Sequence, residues 1–372
     1  MLNTKFFLIG VLTLVLLISC KKENQNVQIQ DPPTQPQKIK QWLDAPDGYA
    51  TFVQVDYNND KLDDLIQFDG YDVNIPYTWP GPQFYSGNPL VKSYPFVDNK
   101  RIFGSKLIAA DFDGNGYTDI FVQSGMDPYG TNWSTCWYCD PIIPNNIMFN
   151  HDGKTFKVKE LSDWIGIWRS TTAADIDNDK DVDLLIFTTH QGRGLYNKLL
   201  INDGKGNFSV KKSDIDSIEW VDAAEMFDIN RDRFVDLVIN DIVSTGNRFR
   251  ILWGDGNNYL QSNSITINVP NDMWVLDIDA FDFDNDGFDE IIVAMNKPNG
   301  AWKLNMFKTK DNKNYQNVSN LIFENETDLI PYAHLIDIGD VDGNRKIDVV
   351  VNDKSKNIRW EWEMGLGLVR KK

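Results

Sequence analysis

Along this chain, short apolar runs come in pairs, each pair separated by a stretch in which alternate residues are acidic or amide-bearing. Ala109-Ala110 precedes one such stretch and Ile120-Phe121-Val122 follows it, and Phe281 precedes another that Ile291-Ile292-Val293 follows. Short runs rich in β-branched residues and bounded by turn formers read as strands, so each polar stretch is a loop between two strands. A second pattern follows in most repeats, as in Asn146-Ile147-Met148-Phe149-Asn150 to Phe156, Leu199-Leu200-Ile201-Asn202-Asp203-Gly204 to Phe208, and Ile251-Leu252-Trp253-Gly254-Asp255-Gly256 to Tyr259. Alternation, then Asp-Gly, then an aromatic residue predicts a β-hairpin.

The polar loop obeys D-x-[DN]-x-[DN]-x-x-x-[DE] and occurs six times, starting at Asp56, Asp111, Asp175, Asp228, Asp282 and Asp340, at intervals of 55, 64, 53, 54 and 58 residues. Self-similarity at such a period marks stacked units that cannot bury an apolar face alone. With four strands per repeat, each unit is one blade of a β-propeller. The expectation is an all-β, six-bladed propeller over residues 38–372 with four-stranded antiparallel blades, six being favoured over seven. Because the chain ends soon after Asp340, the outer strand of the last blade is expected from residues 37–43, clasping the strand near Ile358 to Glu363 and hiding sheet edges.

Alternating oxygens on a tight loop, closed by a later acid, suit a hard cation that takes six to eight oxygen ligands. The candidate ligands are Asp56, Asn58, Asp60 and Asp64; Asp111, Asp113, Asn115 and Asp119; Asp175, Asp177, Asp179 and Asp183; Asp228, Asn230, Asp232 and Asp236; Asp282, Asp284, Asp286 and Glu290; and Asp340, Asp342, Asn344 and Asp348. These sets hold 20 of the 54 acidic residues, so three or four carboxylates repel one another in each loop unless a cation is present. Up to six Ca2+ would bring the formal charge from -17 to -5, which makes the acidity local metal chemistry and no sign of a basic partner. EF-hands fit poorly, since the flanks are β-rich and no ligand stands at the twelfth position.

These residues resemble the FG-GAP/VCBS repeat, the calcium-binding propeller blade of integrin α subunits and many bacterial surface proteins. Phe103-Gly104 stands eight residues before Asp111, where that family has Phe-Gly; Trp220, Trp274 and Tyr332 keep the same offset, and Trp168 and Tyr49 fall one residue closer. The family commonly has Gly after the fifth loop position. Gly116 and Gly287 follow that pattern, whereas Lys61, Lys180, Arg233 and Arg345 depart from it and leave occupancy of those loops open. The resemblance implies calcium loops between the first and second strands on one face and ligand on the opposite face. There Tyr49, Phe103, Trp168, Trp220, Trp274 and Tyr332 would ring the axis, either as packing between blades or as an aromatic cup that receives a protein.

The N-terminus, with Lys5 and an apolar stretch from Phe6 to Ile18, reads as an export signal too short for a membrane span. Leu17-Ile18-Ser19-Cys20 resembles the bacterial lipoprotein box, which implies a signal peptide over residues 1–19, lipid on Cys20, and an outer-membrane lipoprotein, since Lys21 is not the Asp associated with inner-membrane retention; a plain secretory signal is the alternative. Residues 20–37 form a polar, proline-containing tether. Cys136 and Cys139 are expected to form a local disulfide in an exported protein, a redox pair being disfavoured without a βαβ pattern.

The longest interval contains an insertion from Met126 to Pro144 with Tyr129, Trp133, Trp137 and Tyr138, and blade 1 adds Tyr71, Tyr77, Trp79, Phe84 and Tyr85. Exposed Trp and Tyr beside polar groups suit sugar rings, so a glycan is the expected partner, with an envelope protein next. Catalysis has thin support: of three His, only His190, with Arg193 nearby, could act as a base toward a uronate, as in a polysaccharide lyase. A pI near 4.6 and the lack of a basic stripe disfavour nucleic acid. The expectation is a monomer that meets the membrane only through lipid.

Overall fold

The computed structural model describes residues 51–371, except 63, 69–80, 88–90, 99–105, 124–144, 162–167, 189–196, 219–220, 222, 244–245, 270–273, 297–301, 324–335, 340–343 and 354–355. Its strands form six sheets. Blade 1 holds β1 (Thr51–Val55), β2 (Asp64–Phe68), β3 (Pro82–Ser86) and β4 (Val91–Ser93). A short β5 (Phe96–Val97) leads to blade 2, with β6 (Lys106–Ala110), β7 (Asp119–Gln123), β8 (Asn145–Asn150) and β9 (Thr155–Leu161). Blade 3 holds β10 (Trp168–Ala174), β11 (Asp183–Thr188), β12 (Lys198–Asn202) and β13 (Phe208–Lys211). Blade 4 holds β14 (Ala224–Phe227), β15 (Asp236–Val243), β16 (Gly246–Gly254) and β17 (Tyr259–Asn268). Blade 5 holds β18 (Trp274–Phe281), β19 (Glu290–Asn296), β20 (Trp302–Lys308) and β21 (Gln316–Asn317), and blade 6 holds β22 (Ile336–Gly339), β23 (Asp348–Asp353), β24 (Lys356–Glu363) and β25 (Gly367–Lys371). Within each blade the four strands pair antiparallel in chain order, and β1, β6, β10, β14, β18 and β22 touch one another in succession as the innermost strands. This is a six-bladed β-propeller.

The second strand of each blade explains the apolar runs. Successive side chains of a strand point to opposite faces, and both faces here are covered, so β7 is buried at every residue. Ile120 and Val122 pack toward blade 1, against Ile66 and Phe84. Phe121 points the other way and joins Leu184 and Leu200 of blade 3. The described residues contain five such apolar clusters, each shared by two consecutive blades.

One expectation is corrected. The strand β24, which contains Ile358 to Glu363, already has β23 on one side and β25 on the other, so the last blade is completed by the C-terminal strand Gly367–Lys371 and has no edge there for residues 37–43. The sharp turn after Glu363 makes this possible. Gly367 has φ +119°, and a Cβ on it would lie 2.2 Å from the carbonyl oxygen of Leu321, so only glycine starts β25 here. The far side of β25 is covered by the segment arriving from blade 5: Ile322 bridges Leu368 in parallel, and Phe323 N donates to Leu368 O at 2.9 Å. Blade 2 uses the same device, with β5 running parallel to β9 and Phe96 N donating to Lys154 O at 2.7 Å. Connections that double as outer cover blunt the open edges of a sheet.

Candidate metal centres

The acidic loops all join the first strand of a blade to the second, and the third strand returns to the same end, so the hairpin turns at Asp152, Asp203 and Asp255 flank them on one face. In loops 1 to 5 the first Asp organises the turn. Its Oδ1 accepts the backbone N–H of the fifth residue at 2.9–3.1 Å, in Asp60, Asn115, Asp179, Asp232 and Asp286. Its Oδ2 accepts from the sixth, in Lys61, Gly116, Lys180, Arg233 and Gly287, at 2.7–3.1 Å. Two loop positions are left-handed: the fourth in loops 1 to 5, with φ from 56° at Asn285 to 71° at Gly114, and the sixth in all six, where Lys61, Lys180, Arg233 and Arg345 have φ of 70°, 79°, 77° and 69° beside Gly116 at 85° and Gly287 at 94°. The four basic residues therefore adopt the glycine conformation instead of altering the loop.

The closing acid ties the loop to the sheet. Asp64, Asp119, Asp183, Asp236 and Asp348 are fully buried. In blades 1 to 4 one carboxylate oxygen accepts the N–H of the second loop residue, as at Tyr57, Phe112, Ile176 and Ile229, and the other accepts from the third strand or its turn, at Gly87, Asn150, Asn202 and Gly254. Burial, with neighbouring carboxylates adding to it, pushes Asp64, Asp119 and Asp236 up to about 7 and Asp183 to about 6, against the pull of those N–H groups. A divalent cation would relieve that opposition to ionisation.

The loops are not equivalent. Among the described residues, three of them bring three carboxylates within 4.8 Å of one another: Asp111, Asp113 and Asp119; Asp175, Asp177 and Asp183; and Asp282, Asp284 and Glu290. In the second of these sets Asp177 Oδ1 is buried with no hydrogen-bond partner, the condition that a hard cation would satisfy, so the donor set of loop 3 fits a metal. Loops 1 and 4 have the neutral amides Asn58 and Asn230 in the third position, where each side-chain oxygen accepts the N–H of Asp60 or Asp232 at 2.9 Å. Loop 5 holds an ammonium of the protein itself. Lys308 Nζ bonds Asp284 and lies 2.9 Å from Asp286 Oδ2 and 3.0 Å from Glu290 Oε1. Burial opposes its charge, but these carboxylates outweigh it and hold the ammonium well above the usual lysine range. Arg231 of loop 4 adds Nη2 contacts of 3.0 Å to Asp282 and Asp289. Around loop 6, where Asp340 and Asp342 lie outside the described residues, Asn344 Nδ2 donates to Glu361 at 2.6 Å. Burial alone would raise Glu361, yet hydrogen bonds from Lys346, Asn344 and Lys371 hold it down at about 2.

Side chains also couple one loop to the next blade. Asn150 Nδ2 donates to Tyr57 O and Thr118 O, and Asn202 Nδ2 donates to Phe112 O and Val182 O. Gly153 sits so close to loop 1 that a Cβ would meet Asn58 Cα at 2.9 Å.

A polar cluster that the sequence reading missed occupies the innermost strands of four blades. Lys106 Nζ lies 2.7 Å from Glu225 Oε1, Thr172 Oγ1 donates to Glu225 Oε2 at 3.1 Å, and Asp277 Oδ2 accepts from Ile336 N at 2.7 Å. Burial pushes Asp277 up to about 7, with Lys106 opposing and Glu225 assisting.

Of the other residues singled out in the sequence, Trp168 and Trp274 open the innermost strands β10 and β18. Tyr49, Phe103, Trp220, Tyr332, Tyr129, Trp133, Trp137, Tyr138, Cys20, Cys136, Cys139, His190 and Arg193 lie outside the described residues. Phe84 is a core residue, packed against Tyr57 and Phe156. The chain leaves β7 at Gln123 and rejoins β8 at Asn145, on the face opposite the acidic loops.

Residues 175–239 and 228–293 match the FG-GAP-like repeat, each match opening on the first Asp of a loop. No curated protein matches the chain in sequence. Similar solved structures include a mutant of the Aleuria aurantia lectin in complex with alpha-methyl-L-fucoside, 11% identical over 88% of this chain and 96% of that one, with a TM-score of 0.46. Another is described as a fungal lectin with a six-bladed β-propeller fold and a novel fucose recognition mode, also 11% identical, over 88% and 97%, with a TM-score of 0.45.

Proposed function

We propose that this protein is a calcium-stabilised recognition module of the cell envelope, held by lipid on Cys20, which binds carbohydrate on the face opposite its acidic loops. The observation that carries the reading is the division of labour between the two faces. The loop face is committed to backbone capping, carboxylate clusters and blade-to-blade hydrogen bonds. The opposite face is where the chain between Gln123 and Asn145 attaches, and that segment brings Tyr129, Trp133, Trp137 and Tyr138. Aromatic side chains with polar neighbours present both the apolar surface and the hydrogen-bonding tips that sugar rings require.

At the loops the protein would supply carboxylates to a hard cation with flexible coordination, as Ca2+ accepts. Asp111, Asp113 and Asp119, and Asp175, Asp177 and Asp183, are the sets that would hold it. The cation's part is to neutralise these acids and make the fold dependent on metal.

Affinity electrophoresis of the calcium-loaded protein through gels containing neutral and acidic polysaccharides tests the ligand. Selective retardation that disappears when Trp133 and Trp137 are replaced by Ala supports a glycan surface there. Unchanged mobility across the panel moves the reading to a protein partner.

A further inference from the structure

The fifth loop differs from its counterparts at one cross-strand position. Continuing the registers of the second and third strands, the closing acids Asp64, Asp119, Asp183, Asp236 and Glu290 stand opposite Ser86, Phe149, Ile201, Trp253 and Lys308, and Asp348 pairs with Glu361. Only Lys308 is a cation. The acid facing it is also the only Glu in the set, one methylene longer than the aspartates, and its reach lets Oε2 accept Phe283 N at 2.9 Å while Oε1 faces the ammonium at 3.0 Å.

An ammonium has three N–H donors, and Lys308 Nζ has three carboxylate neighbours here: Asp284, Asp286 and Glu290. Those are three of the four groups with which loop 5 would hold a metal. The fourth, Asp282, accepts Asp286 N at its Oδ1 at 3.0 Å, and its Oδ2 accepts Gly287 N at 3.1 Å and lies 3.0 Å from Arg231 Nη2. Each oxygen cluster of loop 5 thus already faces a positive group of the protein. Loop 3 contrasts with it in the facing charge: Asp177 Oδ1 and Glu290 Oε1 are both buried without a hydrogen bond, but Glu290 Oε1 has Lys308 Nζ at 3.0 Å, whereas the residue opposite the closing acid of loop 3 is Ile201, which offers no charge.

We infer that Lys308 is the resident cation of the fifth loop, so that this blade closes without metal and Ca2+ binds only at other loops. A tethered ammonium competes at high effective concentration, and an incoming ion would have to displace it while leaving it in a partly buried site, with Lys308 only 18% exposed. The inference rests on the calcium reading above and divides the six loops into metal-dependent and self-neutralised members.

The test is the number of Ca2+ bound per full-length chain, by equilibrium dialysis with metal analysis, in the unmodified protein and in Lys308→Met, which keeps length and volume but removes charge. One additional Ca2+ in the variant is expected, and it would uphold the inference even if the unmodified protein bound none. Equal, non-zero numbers would overturn the inference and leave calcium binding elsewhere intact, whereas zero in both would overturn the two together. A second measurement needs no variant: acetylation of Lys308 in the unmodified protein, followed by mass spectrometry with and without saturating Ca2+. Reactivity should be low and unchanged, and a several-fold rise with Ca2+ would show that metal displaces the side chain.

Discussion

The side-chain amide of Asn150 donates to the carbonyl oxygen of Tyr57 at 2.7 Å, across 93 residues of sequence and from one blade to the loop of the blade before it. The same nitrogen reaches Thr118 O in its own blade, and Asn150 N donates to Asp119 Oδ1 at 2.7 Å, so one residue ties together a loop, a sheet and a neighbour. Asn202 repeats the arrangement with Phe112, Val182 and Asp183. Removing either amide leaves buried carbonyl groups without a donor, which costs about 1–3 kcal/mol. Asn150→Ala and Asn202→Ala should each lower the unfolding free energy by about that amount in denaturant titrations at fixed calcium. A loss below about 0.5 kcal/mol, the level of an ordinary surface substitution, would refute the role.

The buried closing acids make metal binding proton-linked. Asp64, Asp119 and Asp236 ionise near pH 7 and Asp183 near 6 in the metal-free fold, above the ordinary value of 3.8, so the native state holds protons that the unfolded chain has released. Metal-free stability should therefore be full below about pH 4 as far as these groups are concerned, and should fall as pH rises toward 7. Ca2+ reverses this trend by requiring the ionised forms. Calorimetric titrations at pH 6 in two buffers of different ionisation enthalpy should show proton release on Ca2+ binding, and identical heats in the two buffers would refute it.

Backbone strain at the sixth loop position offers a stabilising change. Lys61, Lys180 and Arg233 hold φ of 70–79°, where an L-residue pays about 1–2 kcal/mol. Glycine removes that strain at an entropic cost of about 0.5–1 kcal/mol, so each Gly substitution should raise stability by about 0.5–1 kcal/mol. Gly116→Ala should do the opposite, because its φ is +85° and no atom lies within 4 Å to blame for a clash. Thermal melts at saturating Ca2+ decide between the two signs.

Asp277 provides a pH test away from the metal loops. Buried beside Lys106 and Glu225, it ionises near 7 in the fold against 3.8 in the unfolded chain, so its contribution to stability is most favourable at low pH and is lost between about pH 4 and 7. Asp277→Asn retains an acceptor for Ile336 N and has no charge to bury. At pH 8 the variant should be more stable than the parent by about 1–3 kcal/mol, and the difference should shrink toward pH 5. A pH-independent difference would mean that ionisation of Asp277 is not responsible.

Local pattern revealed the repeats because each depends on neighbours in sequence. The loops announce themselves by alternate Asp and Asn, which the turn requires for its Asx caps, and the hairpins by Asp-Gly before Phe156, Phe208 and Tyr259. The last of these rings is fully buried with its hydroxyl on Val235 O. What escaped the sequence reading depends on register or on distant blades. Lys308 looks like the polar end of a strand until Glu290 is placed opposite it, and Lys106, Thr172, Glu225 and Asp277 converge from four blades with no shared motif. The final strand was misassigned because Gly367–Lys371 is short, and its place beside β24 depends on a glycine conformation that the chain does not advertise.

That final strand has a consequence for how the ring comes into being. Among the described residues every blade, including the last, is built from strands consecutive in the chain, so the hydrogen bonds between these strands can form within a short stretch of sequence. Pairing of this kind keeps contact order low for an all-β protein, which favours faster folding. Blades can then be completed one after another as the chain emerges from the ribosome, with each new blade docking its apolar face on the one before.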